Sequence, residues 1–426
     1  MQASLAVASR NWSWYLIPMN ASSAGLSTVI PIYILALGGQ VREVAIAVFL
    51  SNLAMTLGAI FWGRLIDAMH WRSTIIAICS VAIAISAASM YFVSSIPFLM
   101  AISALVGFFS VGPAPVTNLL VMEKSRREEW IRTYSWTSLI SAAGLVVAML
   151  AGYAWLARYD AGTYAIACSA IAIASLILTL AFVKDPATRL DRRALLKWPA
   201  LHYRLRLVPV IFFRLRPGFS SKRLRRSLSR KEVLFFVGTG LYFLSGNLLF
   251  TAYTPFLKDG GVSDSEVFLA YAILHMCKVV FMPFNHRIVA RGGEEGIARL
   301  SYAPRLVGIA LTLAAAALVV ANPGSLLMIS VLAFVGTEVG FSMWSATTTA
   351  SLLKIIPAGQ EGNILGMNSA VVGAGMLVGS IAAGELSANF GYIITFAFAI
   401  MFAVTSFGIM SRFYRRVRAA KISATP

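Results

Sequence analysis

The sequence predicts an all-α integral membrane protein in which twelve transmembrane helices form two six-helix bundles. Three observations lead to this fold class: an apolar composition, apolar runs long enough to cross a bilayer, and basic residues concentrated in alternate loops. Of the 426 residues, 58% are hydrophobic and 12% are charged, and the mean hydropathy is +0.77. Because a soluble chain of this length needs a more charged exterior, the composition excludes an ordinary soluble protein.

The apolar runs divide the chain into two equal sets. A transmembrane helix needs about 20 consecutive apolar residues, and six such segments precede a polar stretch while six follow it. The chain is therefore predicted to contain an N-terminal bundle (1–183), a basic central loop (184–231) and a C-terminal bundle with a short basic tail (232–426). The predicted spans are residues 12–37, 44–63, 73–93, 97–121, 133–157, 161–183, 233–257, 266–289, 301–320, 324–353, 363–386 and 391–411.

Basic residues set the predicted orientation. The loops after even-numbered spans, with the span ends that border them and both termini, hold 32 of the 36 Lys and Arg residues. The opposite loops hold Arg42, Arg158 and Lys258, and Lys278 lies inside a span. Since cytoplasmic loops carry an excess of Lys and Arg, both termini and the central loop are predicted to be cytoplasmic, in a multi-pass protein of the plasma membrane.

The net charge of +19 resides mainly in loops rather than on one folded face. This distribution indicates contact with the anionic lipid leaflet and argues against a nucleic-acid partner. The central loop interleaves its basic residues with aromatic ones such as Trp198, Tyr203 and Phe212. It is either a solvated linker or an amphipathic helix that lies on anionic lipids. The chain is expected to act as a monomer.

The two halves resemble diverged copies of one unit. The segment 38–44 before span 2 corresponds to the segment 260–267 before span 8, and aligning their glutamates places His275 at the position of Asn52. Two parallel six-helix repeats place a ligand site between them near the bilayer midplane, and they can rock about that site. The repeat therefore favours a transporter, although a purely architectural duplication is the alternative.

The junction of spans 2 and 3 carries the motif GRLIDAMHWR over residues 63–72. It resembles the signature loop of the major facilitator superfamily, with Gly63, Asp67 and Arg72 among its matches and His70 in place of the second glycine. The resemblance covers the whole chain through helix number, central loop and repeat. It implies the twelve-helix fold of that family and a gating motif (Gly63, Asp67, Arg72) that helps to hold the cytoplasmic side closed. The alternative is a solvated loop with ordinary charges.

Two departures weaken a drug-antiporter assignment within that family. Many proton-coupled members carry an arginine four residues before a glycine in span 4, whereas here Ser103 stands four residues before Gly107. The span 5 signature of drug/proton antiporters is incomplete, because Gly144 and Gly152 occur without its proline. Proton coupling therefore stays open.

Charged groups inside spans are costly and are functional candidates by default. Lys278 in span 8 and Glu338 in span 10 are the two that stand out. Helical spacing places His275 on the face of Lys278, and serines on the face of Glu338. The predicted substrate- or proton-binding residues are Glu338, Lys278, His275, Asn20, Asn247, Ser342 and Ser345.

These residues allow several roles. Glu338 or His275 can bind and release a proton as the cavity changes sides, and Lys278 can hold an anionic substrate or pair with Glu338. A permanent structural Lys278–Glu338 pair is the competing interpretation, and His275 alone is more often a hydrogen-bonded structural residue.

The sequence thus predicts a secondary active transporter that moves a small organic solute by alternating access. Proton-linked export or antiport of drug-like compounds or metabolites is the first expectation. Uptake or facilitated movement of a small organic anion anchored by Lys278 is the second. An enzyme is not expected, because the motifs HExxH and GxSxG do not occur. A lipid-handling protein or an intramembrane enzyme is a remote alternative. No cofactor or metal is expected.

Overall fold

The computed structural model describes residues 11–68, 71–92, 95–125, 130–185, 230–281, 284, 293–318, 322–355 and 361–422. All the regular elements in these ranges are helices, so the predicted all-α class is confirmed. After a short 3₁₀ turn at Asn11–Ser13, the helices are α1 (Leu16–Ala36), α2 (Val41–Ala68), α3 (Arg72–Tyr91), α4 (Ile96–Ser110), α5 (Pro113–Lys124), α6 (Trp130–Leu156), α7 (Ala161–Phe182), α8 (Arg230–Asp259), α9 (Asp264–Phe281), α10 (Glu294–Leu300), α11 (Tyr302–Ala317), α12 (Pro323–Ile355) and α13 (Glu361–Ile422).

Ten helical segments of the described chain are long and apolar enough to cross a membrane. Two places separate this number from the predicted twelve. Helix α9 is not among the ten, and it carries the charged residues Asp264, Glu266 and Lys278. Helix α13 contains one long apolar segment, yet its backbone leaves the helical conformation at Gly391, where φ is 82°. These helices support the prediction of a multi-pass membrane protein, and the number of twelve transmembrane helices stays a prediction.

The predicted spans and the observed helices differ in two instructive places. Span 4 is divided into α4 and α5, because a turn at residues 111–112 precedes Pro113, which cannot donate a backbone hydrogen bond. Helix α8 begins at Arg230, inside the predicted central loop. Residues 186–229 of that loop, for which lipid contacts are predicted, lie outside the described residues.

By their order in the chain, we group the described helices into an N-terminal half (α1–α7) and a C-terminal half (α8–α13). Within the first half, α1 packs on α6 and α7, α2 on α4, and α3 on α7. Within the second, α8 packs on α13, and α11 on both α12 and α13. The halves meet where α2 packs against α13 and α6 against α9. We call the end of the molecule where α1 begins and α13 ends the terminal end, and the end where α1 leads into α2 the far end.

The corner before α2 recurs before α9, as the sequence repeat predicts. Gly38 and Gly261 both have positive φ, 85° and 78°, a conformation that favours glycine. Glu43 and Glu266 each accept a hydrogen bond from the backbone N–H three residues earlier, at 2.9 Å. The matching backbone hydrogen bonds, each pair 223 positions apart, are Leu37 N to Tyr33 O with Gly260 N to Phe256 O, Gly38 N to Leu35 O with Gly261 N to Lys258 O, and Gly39 N to Ile34 O with Val262 N to Leu257 O.

The halves are in close contact at the far end. Arg42 Nη2 lies 2.9 Å from Glu385 Oε2, which joins α2 to α13. On the other side of the molecule, α6 approaches α9 so closely that a Cβ built on Gly152 would lie 2.2 Å from the ring of Phe268. That ring is fully buried and meets Tyr164 of α7 edge to face, with centroids 5.2 Å apart.

Candidate functional site

A cavity of about 490 Å³ lies between the two halves, and we call it the central cavity. Its volume falls within the range of about 300–1,000 Å³ that is typical of small-molecule sites. Helices α1, α2 and α6 of the N-terminal half form one wall. Helices α8, α9, α11, α12 and α13 of the C-terminal half form the other.

The two walls differ in chemistry. The N-terminal wall is apolar, with residues such as Val44, Val48, Leu145 and Met149. Its two hydroxyl groups are occupied locally, because Ser27 donates to the carbonyl of Ser23 at 2.9 Å and Thr28 to the sulfur of Met149 at 3.7 Å. The C-terminal wall carries all the charged residues that line the cavity.

Glu338 projects from α12 into the central cavity. Only 6% of its surface is exposed, and its Oε1 atom has no hydrogen-bond partner among the described residues. The ion pairs found in the described part of the chain do not include it. Lys278 and Arg305 are near enough to interact with it electrostatically, without direct contact. Glu338 is therefore a buried acidic group that is available to a proton or a solute.

Arg305, near the start of α11, is the functional candidate that sequence reasoning missed. Its guanidinium carbon lies 3.7 Å from the ring centroid of Tyr242, and Nη2 donates to the carbonyl of Tyr242 at 3.1 Å. The indole of Trp344 stacks on the same tyrosine, with centroids 3.8 Å apart and planes 4° apart. Arg305 is 4% exposed, lines the central cavity, and has no hydrogen-bond partner for Nε among the described residues.

The sequence did contain a signal for Arg305. The residue lies four positions inside the predicted span 301–320, but a cation so close to the cytoplasmic end of a span also fits the positive-inside pattern. Gly246 on α8 leaves space for it, since a Cβ there would lie 2.9 Å from Nη2. A cation next to a glycine on the neighbouring helix becomes visible only when the helices are packed.

His275 and Lys278 are both on α9, but the structure divides them between two cavities. His275 lines the central cavity, and its Nδ1 atom has no partner among the described residues. Lys278 lines a second cavity, and its Nζ atom lies 5.9 Å from the ring centroid of Phe341. No direct Lys278–Glu338 ion pair occurs in the described structure, so the permanent structural pair, which was the competing interpretation, is not observed there.

Two asparagines of the predicted set have defined partners. Asn247 lines the central cavity, and its Oδ1 accepts a hydrogen bond from Asn52 of the other half at 3.2 Å. Asn20 lines the second cavity, while its side-chain nitrogen donates to the carbonyl of Leu16 at 2.7 Å. Asn52 aligns with His275 in the sequence repeat, so the repeat brings polar groups from both halves toward the molecular centre.

The second cavity has a volume of about 570 Å³, and we call it the N-half cavity. Residues of α1, α2, α5 and α6 form most of it, and many carry hydroxyl or amide groups, such as Ser23, Thr117 and Asn118. Among the described residues that line it, Lys278 is the one that is charged and the one contributed by the C-terminal half.

Ser342 and Ser345, predicted on the face of Glu338, do not line either cavity. Ser342 is buried and Ser345 is half-buried. In the predicted gating motif, Arg72 is 5% exposed and pairs with Glu123 at 2.6 Å, which differs from an ordinary solvated charge. A Cβ on Gly63 would meet nothing within 4 Å, and the side chain of Asp67 lies outside the described structure.

The described site suits the binding of organic molecules and protons. Its carboxyl, guanidinium and imidazole groups converge on a cavity with an apolar opposite wall. No cluster of three or more His, Cys, Asp or Glu residues that could hold a metal occurs within the described ranges.

Comparisons with known proteins agree with this architecture. The nucleoside transporter NupG is similar over 96% of this chain and 98% of its own, with 13% identity and a TM-score of 0.70. A D-xylose-proton symporter is similar over 93% of this chain and 96% of its own, with 13% identity and a TM-score of 0.68. The peptide transporter POT in complex with sulfate is similar over 95% of this chain and 94% of its own, with 12% identity and a TM-score of 0.70. These likenesses concern the fold.

By sequence, the chain matches no curated protein. It does match the Major Facilitator Superfamily over residues 15–360, which is most of its length. The resemblance found in the loop at residues 63–72 is thus confirmed, and with it the fold class of that family. The chain belongs to the Major Facilitator Superfamily of membrane transporters.

Proposed function

We propose that this protein is a secondary active transporter that carries a small organic solute through the central cavity by alternating access. We place it in the plasma membrane with both termini in the cytoplasm, on the basis of the loop charges. The observation that carries the proposal is Glu338, a buried carboxyl group in a cavity between two halves, without an ion-pair partner among the described residues. No enzymatic role is proposed.

The energetic cost of burying Glu338 is a physical reason to expect that this residue has a function. A polar group buried without a partner costs about 1–3 kcal/mol, and a buried unpaired charge costs more. Ionisable residues within membrane-spanning segments usually face cavities and mark substrate or proton pathways. A proton removes the charge of Glu338, and a cationic group of a solute neutralises it.

Competition between these two ligands supports proton-linked exchange. If one carboxyl holds either a proton or a solute, each half-cycle carries one of them, and the two fluxes are opposed. We propose that the solute is exported from the cytoplasm while protons move inward. The close contact of the halves at the far end supports a state in which solute enters from the terminal end.

Flux into proteoliposomes tests the proposal. The purified protein is reconstituted, a pH gradient is imposed, and uptake of radiolabelled tetraphenylphosphonium, phenylalanine and benzoate is followed. We expect saturable, gradient-driven flux of at least one probe, lost in Glu338→Gln and retained in Glu295→Gln. Glu295 is a matched control, because it pairs with Arg299 within α10 and lies outside both cavities. Equal flux in both variants would contradict the role of Glu338.

A second candidate function is the carriage of a small organic anion anchored by Lys278. It is supported by the position of Lys278, the one charged residue in the described lining of the N-half cavity. In this case benzoate is the transported probe, its flux is lost in Lys278→Gln, and Glu338→Gln leaves it largely intact. The reverse pattern removes this candidate.

A further inference from the structure

The central cavity contains two buried groups of opposite charge that do not neutralise each other by direct contact. Arg305 and Glu338 are 4% and 6% exposed, and both line the cavity. Nε of Arg305 and Oε1 of Glu338 have no hydrogen-bond partner among the described residues. Neither residue takes part in the ion pairs of the described chain.

These two groups make complementary demands on a ligand. A guanidinium presents only donors, and its planar geometry suits a carboxylate. An ionised carboxyl group accepts only, so it suits an ammonium group. A ligand that carries both charges satisfies both residues at once, whereas a simple anion or a simple cation leaves one of them buried and unpaired.

The position of Arg305 is held by its surroundings. One face of Tyr242 stacks on its guanidinium and the carbonyl of Tyr242 accepts from Nη2, while Trp344 supports the other face of the ring. Gly246 provides the space that the guanidinium occupies. A preorganised cation with donors left over is the arrangement expected of a binding group rather than of a solvated one.

The remainder of the cavity suits an apolar body. Leu145 and Met149 line the wall opposite the charged residues, and Phe250 and Phe341 extend the apolar surface on the C-terminal side. Apolar lining with a few placed polar groups is typical of small-molecule sites.

We propose that the central cavity recognises amphipathic zwitterions, with the acidic group at Arg305, the ammonium group at Glu338 and an apolar or aromatic body against the N-terminal wall. This inference rests on the proposed transport through the same cavity and names its substrate class. It assigns Arg305 as the residue that separates zwitterions from the lipophilic cations that Glu338 alone would accept.

The test is a comparison of matched probes that differ only in charge. Phenylalanine, its N-acetyl derivative and its methyl ester form one series of zwitterion, anion and cation. The dipeptide phenylalanyl-phenylalanine with its N-acetyl and methyl ester derivatives forms a second series, in which the two charges are farther apart. Binding to purified protein in detergent is measured from the concentration dependence of thermal stabilisation.

In at least one series, the zwitterion should bind about tenfold or more tightly than both derivatives, the fold-change expected for one charge-assisted hydrogen bond. Arg305→Gln should remove the advantage over the methyl ester, and Glu338→Gln the advantage over the N-acetyl derivative. Arg299→Gln and Glu295→Gln are the matched controls and should keep both. Gly246→Ala retains the charge of Arg305 but displaces its guanidinium, so it should act like Arg305→Gln even where the latter folds poorly.

The wild-type ranking decides the inference without any variant. A zwitterion that binds no better than its derivatives in both series, or no binding by any probe, overturns it. The proposed function is tested separately, by flux. If a cation shows gradient-driven flux and zwitterions are not preferred in binding, the proposed substrate class is wrong and the proposed transport still stands.

Discussion

The contact between Gly152 and Phe268 makes a direct prediction about the conformational balance of the two halves. In Gly152→Ala, the new Cβ would lie 2.2 Å from the ring of Phe268, which is 1.2 Å short of the 3.4 Å at which ordinary van der Waals contact begins. The ring cannot easily turn away, because it is fully buried and packs against Tyr164. The helices α6 and α9 must therefore separate at the far end.

The expected magnitude follows from the cost of overpacking. An added methyl group in a tightly packed interior costs about 1–3 kcal/mol, which lowers the ratio of far-end-closed to far-end-open molecules about 5- to 150-fold. Closure is measured by cross-linking Arg42→Cys to Glu385→Cys with a short bifunctional methanethiosulfonate, since these side chains meet at 2.9 Å in the closed state. The initial rate of cross-linking should fall in Gly152→Ala.

Two further variants complete the experiment. Gly408→Ala is the control, because a Cβ at that position meets nothing within 4 Å, and it should cross-link at the original rate. Adding Phe268→Leu to Gly152→Ala should restore the rate of cross-linking, since the smaller side chain removes the overlap. The four proteins form a double-mutant cycle that measures the interaction between the two positions. Unchanged cross-linking in Gly152→Ala would refute the reasoning that this contact holds the far end closed.

Three other predictions concern stability, each measured as the thermal unfolding midpoint in detergent. Glu123→Gln should lower the free energy of unfolding by about 1–3 kcal/mol, because it replaces a carboxylate that is paired with the buried Arg72 by a neutral amide. Gly38→Ala and Gly261→Ala should each cost about 1–2 kcal/mol, since both positions have positive φ, and the two costs should be similar. Arg42→Gln should change the free energy by less than about 1 kcal/mol, because its ion pair is half-exposed.

The fold was largely predictable because a bilayer imposes simple rules on sequence. Spans need apolar length, and the resulting helices appear where the apolar runs predict them. The repeat was visible in a few residues, and the corners at Gly38 and Gly261 carry the same hydrogen bonds. The helix count was harder, because α9 mixes charged residues into a short helix and α13 changes direction at Gly391 without an interrupting polar loop.

The site was less predictable because it depends on how helices rotate against each other. Helical spacing predicted His275 and Lys278 on one face. Three residues advance about 300° around a helix, so the two side chains point about 60° apart. With this angle between them, they line separate cavities. Arg305 was hidden by its closeness to a span end. Glu338 was found because a lone acid deep in an apolar segment is conspicuous without knowledge of packing.

The unequal walls of the central cavity bear on the speed of a transport cycle. Hydrogen bonds are directional and must break before a wall can move past a ligand, whereas dispersion contacts are individually weak and change smoothly with sliding. In the proposed transport cycle, a bound solute would keep its directional contacts within one moving body, because the charged groups in the described lining belong to the C-terminal half. The solute would thus move together with the C-terminal half. The N-terminal wall would make only weak, non-directional contacts with it, and these would change gradually as the two halves move past each other.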